Sequence, residues 1–321
     1  MSSHSFAFIF PGQGSQHLGM LADFKNESVV QQVFEEANDT LGANLGTLCL
    51  EGPEAQLNDT RWTQPVLLTA SVALWRLWQS RTDFVPQFMA GHSLGEYSAL
   101  VCAESLGLAD AVRLVQQRGS FMSDAVPAGV GAMAAIIGLE AEALVALCHQ
   151  VQSESADSVC EAVNFNSPEQ IVVSGHASAI DTLMTLAKEQ GAKRAIKLPV
   201  SVPSHCALMQ PAAKNLQNYI EKAELQFSTP KIPLLHNVDV ATHSQHDEIK
   251  TALVKQLFQP VRWVDTIQAM VTANVGCMIE CGPGKVLSGL NRRIDRSIQC
   301  FALETEASFK QASEHKLERS L

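Results

Sequence analysis

No apolar stretch in this chain approaches the ~20 residues that a membrane-crossing helix needs. The start, Met1-Ser2-Ser3-His4-Ser5, has none of the basic-then-apolar layout of a signal peptide, so a cytoplasmic protein is expected. Positive charge is in short supply. The 23 Lys and Arg stand against 33 Asp and Glu, and the formal net charge of −10 opposes non-specific binding to nucleic acid or to an anionic membrane surface. The 8 cysteines form no Cys-x-x-Cys pair, and Cys102, Cys148 and Cys277 sit in apolar surroundings, which favours buried free thiols over disulfides or zinc. The nearest approach to a metal pair, His243-Ser-Gln-His246, lies in a polar stretch and reads as a solvated loop. A Gly-x-Gly-x-x-Gly fingerprint is missing as well, because Gly12, Gly14 and Gly19 have the wrong spacing.

What the chain does have is bulk and one strong local motif. With 321 residues and 46% hydrophobic content it can bury a substantial core in one large domain or two modest ones. The motif is Gly91-His92-Ser93-Leu94-Gly95-Glu96, preceded by the apolar run Phe88-Met89-Ala90 and followed by a helix-like run from Tyr97 to Ala103. It reads as a nucleophile elbow, in which Gly91 and Gly95 let strand and helix come close while Ser93 is held in a tight, exposed turn. A helix starting at Leu94 would direct its free N–H groups at an oxygen that becomes negative when Ser93 attacks a carbonyl, which makes the Leu94 N–H one oxyanion donor.

Around the elbow the chain alternates strand and helix signals. Phe6–Phe10 reads as a buried first strand that ends in Pro11-Gly12-Gln13-Gly14-Ser15-Gln16, and Gln13 in that loop is a second oxyanion donor. Helices are expected over 28–41, from Pro65 as first helical residue, and over 108–126. In the last of these Ala111, Val115, Arg118 and Met122 share an apolar stripe, where a charge is costly unless paired. Arg118 therefore needs an anion, either a core carboxylate or the carboxylate of a substrate. From about Gly129 to Pro199 the order becomes β-α-β-β-α-β, that of a ferredoxin-like module inserted in the larger domain. Beyond it, Val202-Pro203-Ser204-His205 enters a helix at about His205, the first choice for a general base. His236 is its rival, and His92 points away from Ser93 in a regular elbow. A final strand spans 277–281, and everything from Ser308 reads as a fraying polar tail.

Taken together, Pro11-Gly-Gln13-Gly-Ser-Gln16, Gly91-His-Ser93-Leu-Gly-Glu96, Gln117-Arg118-Gly119, Val202-Pro-Ser-His205 and Gly282-Pro-Gly-Lys285 resemble the malonyl-CoA:acyl carrier protein transacylase family of bacterial fatty-acid synthesis. The resemblance implies an α/β-hydrolase-like core with a ferredoxin-like subdomain, expected over 1–127 and 201–307 and over 128–200, and the polar residues from Ser308 leave 308–321 as a C-terminal tail. It implies Ser93 as nucleophile, His205 as base, Arg118 as anchor of the malonyl carboxylate, Gln13 and Leu94 as oxyanion donors, and the backbone carbonyl of Gln256 in place of a third acid. Asp239 stays open as that acid. The implied partners are malonyl-CoA and an acidic, phosphopantetheinylated acyl carrier protein, which Lys193 and Arg194 would meet if they are more than solvated surface charge. No metal or redox cofactor is implied. Two positions depart from the family pattern: Ser123 stands where an amide is frequent, and His236 where an asparagine is. A serine esterase or thioesterase would share elbow and base but have no use for a buried arginine, and a non-catalytic docking module would share only the groove.

Overall fold

The computed structural model describes residues 5–154, 158–200 and 202–320; Met1–His4 and Ser201, which bound the expected segments of the core, lie outside the described residues. Among the described residues nine strands form two sheets. The first is parallel throughout and comprises β1 (Ser5–Phe10), β2 (Phe88–Gly91), β7 (Leu234–Leu235), β8 (Val275–Glu280) and β9 (Gln299–Ala302) in the order β7-β2-β1-β8-β9. Along β1, Phe6, Phe8 and Phe10 enter one core with Leu74 and Trp78, whereas Ala7 and Ile9 enter another with Trp263, Ile267 and Met278. Burial on both faces explains why this strand is an uninterrupted apolar run and not an alternating one.

The second sheet is antiparallel, with β3 (Gly131–Ile137), β4 (Cys160–Ser167), β5 (Gln170–His176) and β6 (Arg194–Lys197) in the order β4-β5-β3-β6. Helices Ala141–Ser153 and Ala177–Glu189 cover one face through Leu144, Cys148, Ile180 and Leu183, which completes a ferredoxin-like unit. The opposite face presents Met133, Ala135 and Val172 to Cys206 of the core. Two backbone hydrogen bonds tie the units together: Val261 N–H donates to Val163 O (2.8 Å), and Phe165 N–H donates to Val261 O (3.1 Å).

Three expectations need correction. The helix assigned to start at Pro65 runs over Thr60–Arg81, because Asp59 caps it by accepting from the N–H of Arg61 at 3.0 Å. Pro65 is an interior residue, and the extra turn before it brings Thr60 and Gln64 to the site. His205 does not open a helix; it sits in a turn at φ 66°, followed by a short 3-10 turn and then helix Gln210–Lys222. The polar segment from Ser308 belongs to helix Glu306–Ser320, in which Phe309 and Ala312 are buried and the Phe309 ring meets Phe24 edge-on and Trp78 at a tilt, with centroids 5.8 and 5.6 Å apart. Its low hydrophobic content concealed a narrow apolar stripe.

Candidate functional site

Ser93 leaves the carboxyl end of β2 at φ 51°, a left-handed conformation uncommon for a residue with a side chain. The neighbouring contacts impose it. A Cβ on Gly91 would lie 1.8 Å from the carbonyl carbon of Gly95, and one on Gly95 would lie 2.0 Å from Phe10 O, so only glycine allows strand and helix to pack this closely. Helix Gly95–Cys102 then begins directly beyond the serine.

The strained turn is also held by side chains. Asn237 accepts from the Ser93 N–H through Oδ1 at 2.8 Å and donates from Nδ2 to Gly91 O at 2.7 Å, bracing both ends of the elbow. With the amide of Ser93 occupied, the N–H of Leu94 is the first in the turn with no acceptor among the described residues. Leu94 and Gln13 line the same cavity of about 110 Å³ as Ser93, Arg118 and His205. Gln13 is positioned by its own side chain, whose Nε2 donates to Thr60 Oγ1 at 3.2 Å. A larger groove of about 550 Å³ shares Gln13, His92 and Asn164 with this cavity and continues past Val286 at the start of helix Val286–Ile294, between the core and the small subdomain.

His205 Nε2 lies 2.8 Å from Ser93 Oγ, and His205 Nδ1–H donates to the main-chain carbonyl of Gln256 at 2.6 Å. Because that carbonyl can only accept, the proton is on Nδ1, and Nε2 is free to accept the serine proton. The carbonyl is available for a structural reason. Gln256 is the last residue of helix His246–Gln256, where carbonyls lack intrahelical partners, and the next one, Leu257 O, accepts the His205 N–H at 2.9 Å. Burial, and secondarily the positive charge of Arg118, drive the imidazole pKa down to about 3, although the bond to Gln256 opposes this. The histidine is therefore neutral, and ready to take a proton, at any ordinary pH.

Arg118 is almost completely buried (1% exposed), and the partner for its charge is not a carboxylate. Nη1 donates to Gln64 Oε1 and Nη2 to Gln256 Oε1, both at 2.9 Å, and Nη2 also reaches Ser93 Oγ at 3.3 Å. The guanidinium carbon stands 5.3 Å from the centroid of the Tyr97 ring, and Nε has no hydrogen-bond partner among the described residues. Among the described residues no ion pair includes Arg118. Of the two partners considered for it, the core carboxylate is absent from direct contact. A buried cation held by neutral oxygens and an aromatic face is suited to receive an anion.

The remaining residues are sorted by their contacts. His236 is fully buried behind the elbow helix with Nδ1 2.7 Å from Glu96 Oε1, and Asp239 is engaged with His243 at 2.8 Å, so neither ring nor carboxylate joins Ser93 or His205. His92 is held by Asn166 Oδ1 at 2.7 Å. Ser123 only returns a hydrogen bond to Gly119 O on its own helix. Lys193 forms an exposed pair with Glu169 at 3.1 Å, and Arg194 lies exposed on β6; neither lines the cavity. Sequence reasoning missed Gln64, Asn237 and Glu96. Gln64 carried a usable signal, as a polar residue on the apolar face of a helix, but the mistaken helix start set it aside.

An acyl transferase domain matches residues 7–299. The malonyl CoA-acyl carrier protein transacylase of Salmonella typhimurium is 50% identical over 309 residues, which is 96% of this chain and 98% of that protein. A solved acyl carrier protein S-malonyltransferase from Vibrio cholerae aligns with a TM-score of 0.93 at 50% identity, over 96% of this chain and 99% of its own. A second solved structure, of a type II polyketide synthase acyl-carrier protein in complex with its malonyl-transacylase, aligns at a TM-score of 0.94 and 48% identity over 97% and 99%. Identity at this level over nearly the whole length, on the same fold and with the elbow intact, makes this chain a member of the malonyl CoA-acyl carrier protein transacylase family.

Proposed function

We propose that the protein moves the malonyl group of malonyl-CoA to the phosphopantetheine thiol of acyl carrier protein, through a malonyl-serine intermediate, in cytoplasmic fatty-acid synthesis. The observation that carries this reading is Arg118: a buried guanidinium without a carboxylate partner, within hydrogen-bond reach of the Ser93 hydroxyl. Ester or thioester hydrolysis would use the same elbow and base but has no use for a buried arginine beside the serine. The names of the relatives point to the same substrate pair.

In the first half-reaction His205 Nε2 takes the Ser93 proton as Oγ attacks the thioester carbonyl. The N–H groups of Gln13 and Leu94 receive the oxyanion, and the CoA thiolate leaves with the proton from His205. In the second, His205 takes the proton of the carrier-protein thiol, the thiolate attacks the seryl ester, and the proton returns to Ser93. Malonyl binding prepares the base: a carboxylate on Arg118 neutralises the charge that helps to hold the His205 pKa down, so the imidazole becomes more basic when the correct substrate is present. The segments 1–127 and 201–307 act as the catalytic core and 128–200 as the wall of the groove. Labelled malonyl-CoA tests the proposal. A covalent adduct on the protein, discharged to holo carrier protein and not to water, is the expected result; free malonate as the main product would make it a hydrolase, and no adduct a docking module.

A further inference from the structure

Arg118 has a carboxylate in its surroundings, one amide group away. Glu96, on the first turn of the elbow helix, is fully buried and spends its two oxygens on three donors. Oε1 accepts from His236 Nδ1 at 2.7 Å, and Oε2 accepts from the N–H of Asn237 at 3.0 Å and from Gln256 Nε2 at 2.8 Å. We propose that Glu96 is a specificity-determining positioning residue, which fixes the orientation of the Gln256 side-chain amide so that its oxygen holds Arg118 in place for the malonyl carboxylate. This rests on the transacylase reading above.

The argument is one of donors and acceptors. An ionised carboxylate only accepts and a guanidinium only donates, whereas a glutamine amide can do either, depending on which way it faces. Gln256 stands between the two. Its Nε2 faces Glu96 Oε2 and also Ser93 O, at 3.0 Å, while its Oε1 faces Arg118 Nη2 at 2.9 Å. The opposite orientation would set an oxygen against the carboxylate and the Ser93 carbonyl, and an NH2 against the guanidinium. With Glu96 charged, only the observed orientation is satisfied. Gln256 thus serves the site twice: its main-chain carbonyl aligns His205, and its side chain, steered by Glu96, aligns Arg118. Glu96 is also the negative charge that makes a buried arginine tolerable without occupying the guanidinium edge that substrate needs.

Glu96→Gln separates these roles. It keeps size and shape but sets an NH2 where one carboxylate oxygen accepted, either against the Asn237 N–H and Gln256 Nε2 or against His236 Nδ1; without a fixed carboxylate to face, Gln256 is free to flip, and Arg118 loses its alignment. The experiment measures kcat and KM for adduct formation from malonyl-CoA and from acetyl-CoA, with wild type and Glu96→Gln alongside, and monitors folding by thermal unfolding. The expected result is a fall of about tenfold or more in the malonyl-to-acetyl ratio of kcat/KM, carried mainly by KM for malonyl-CoA. A general loss of structure would lower both substrates together and leave the ratio unmoved. If Glu96→Gln does not fold, Gln256→Met makes the same test from the other end, because the main-chain carbonyl toward His205 is retained. An unchanged ratio in the folded variant overturns the inference while wild-type malonyl transfer stands; a wild type that forms no malonyl adduct overturns the transacylase reading itself.

Discussion

Replacing Arg118 with alanine tests the substrate assignment most directly. A charge-assisted hydrogen bond contributes about 1.5–3 kcal/mol, and at about 1.4 kcal/mol per factor of ten a single contact to the malonyl carboxylate is worth roughly 10- to 10²-fold. Acetyl-CoA cannot supply the anion and leaves a desolvated cation unmatched, which adds to the difference in the same direction. Wild type should therefore prefer malonyl-CoA by at least ~10²-fold in kcat/KM. In Arg118→Ala this preference should collapse, with malonyl transfer reduced and acetyl transfer retained or raised. The fold should not escape unharmed, since Gln64 Oε1 and Gln256 Oε1 both lose a donor at 2.9 Å. An unsatisfied buried acceptor costs about 1–3 kcal/mol. The cavity above Ser93 admits water, so a stability loss toward the lower end is expected. Rates of adduct formation with each acyl-CoA, followed by intact mass spectrometry, give the ratio, and thermal unfolding gives the stability. A variant that is badly destabilised yet keeps its malonyl-to-acetyl ratio would refute the reasoning and make Arg118 a structural residue.

The other expectations concern the reacting pair and the partner. Ser93→Ala should fold and form no malonyl adduct, and an adduct persisting in the mutant would remove Ser93 from the mechanism. His205→Ala should slow acylation by ~10²–10⁴-fold, whereas His236→Ala should show chiefly in thermal unfolding, because Glu96 then loses its Nδ1 donor; the reverse ranking would identify His236 as the base. The pH profiles should follow the depressed pKa of His205. Activity is lost when the imidazole protonates, so a folded-state pKa below the ordinary 6.5 moves the acid limb of kcat/KM below that value. The limb of kcat should lie higher than that of kcat/KM, since bound malonyl offsets the charge of Arg118; a limb near 6.5 for kcat/KM would contradict the burial argument. Reversing Lys193 and Arg194 to glutamate should raise KM for carrier protein and spare acylation by malonyl-CoA, with Arg194 contributing more because Lys193 is already engaged by Glu169. Equal effects on both half-reactions would dismiss this patch.

What the sequence by itself determined was local or periodic. Glycine at 91 and 95 around Ser93 announces the elbow as a local pattern, although only the Gly91 contact is local and that of Gly95 is with Phe10, and the uninterrupted apolar run of β1 announces a strand buried on both faces. The β-α-β-β-α-β order from Gly131 to Lys197 could be read from alternating periods, because each element buries one face against its neighbours. Arg118 was recognisable as a problem, since an apolar helical stripe is no place for a charge. Its solution was not, because its partners come from far along the chain: Gln64 lies 54 residues away and Gln256 138. The choice between His205 and His236 was likewise tertiary, as a histidine after a strand or before a helix carries no mark of what its ring will meet. Helix ends misled where a proline outweighed a capping aspartate at Asp59, and a narrow stripe of Phe309 and Ala312 was too sparse to register until Phe24 and Trp78 supplied its other half. Residue chemistry along the chain thus settled which groups could react, and only packing between distant segments decided which of them face one another.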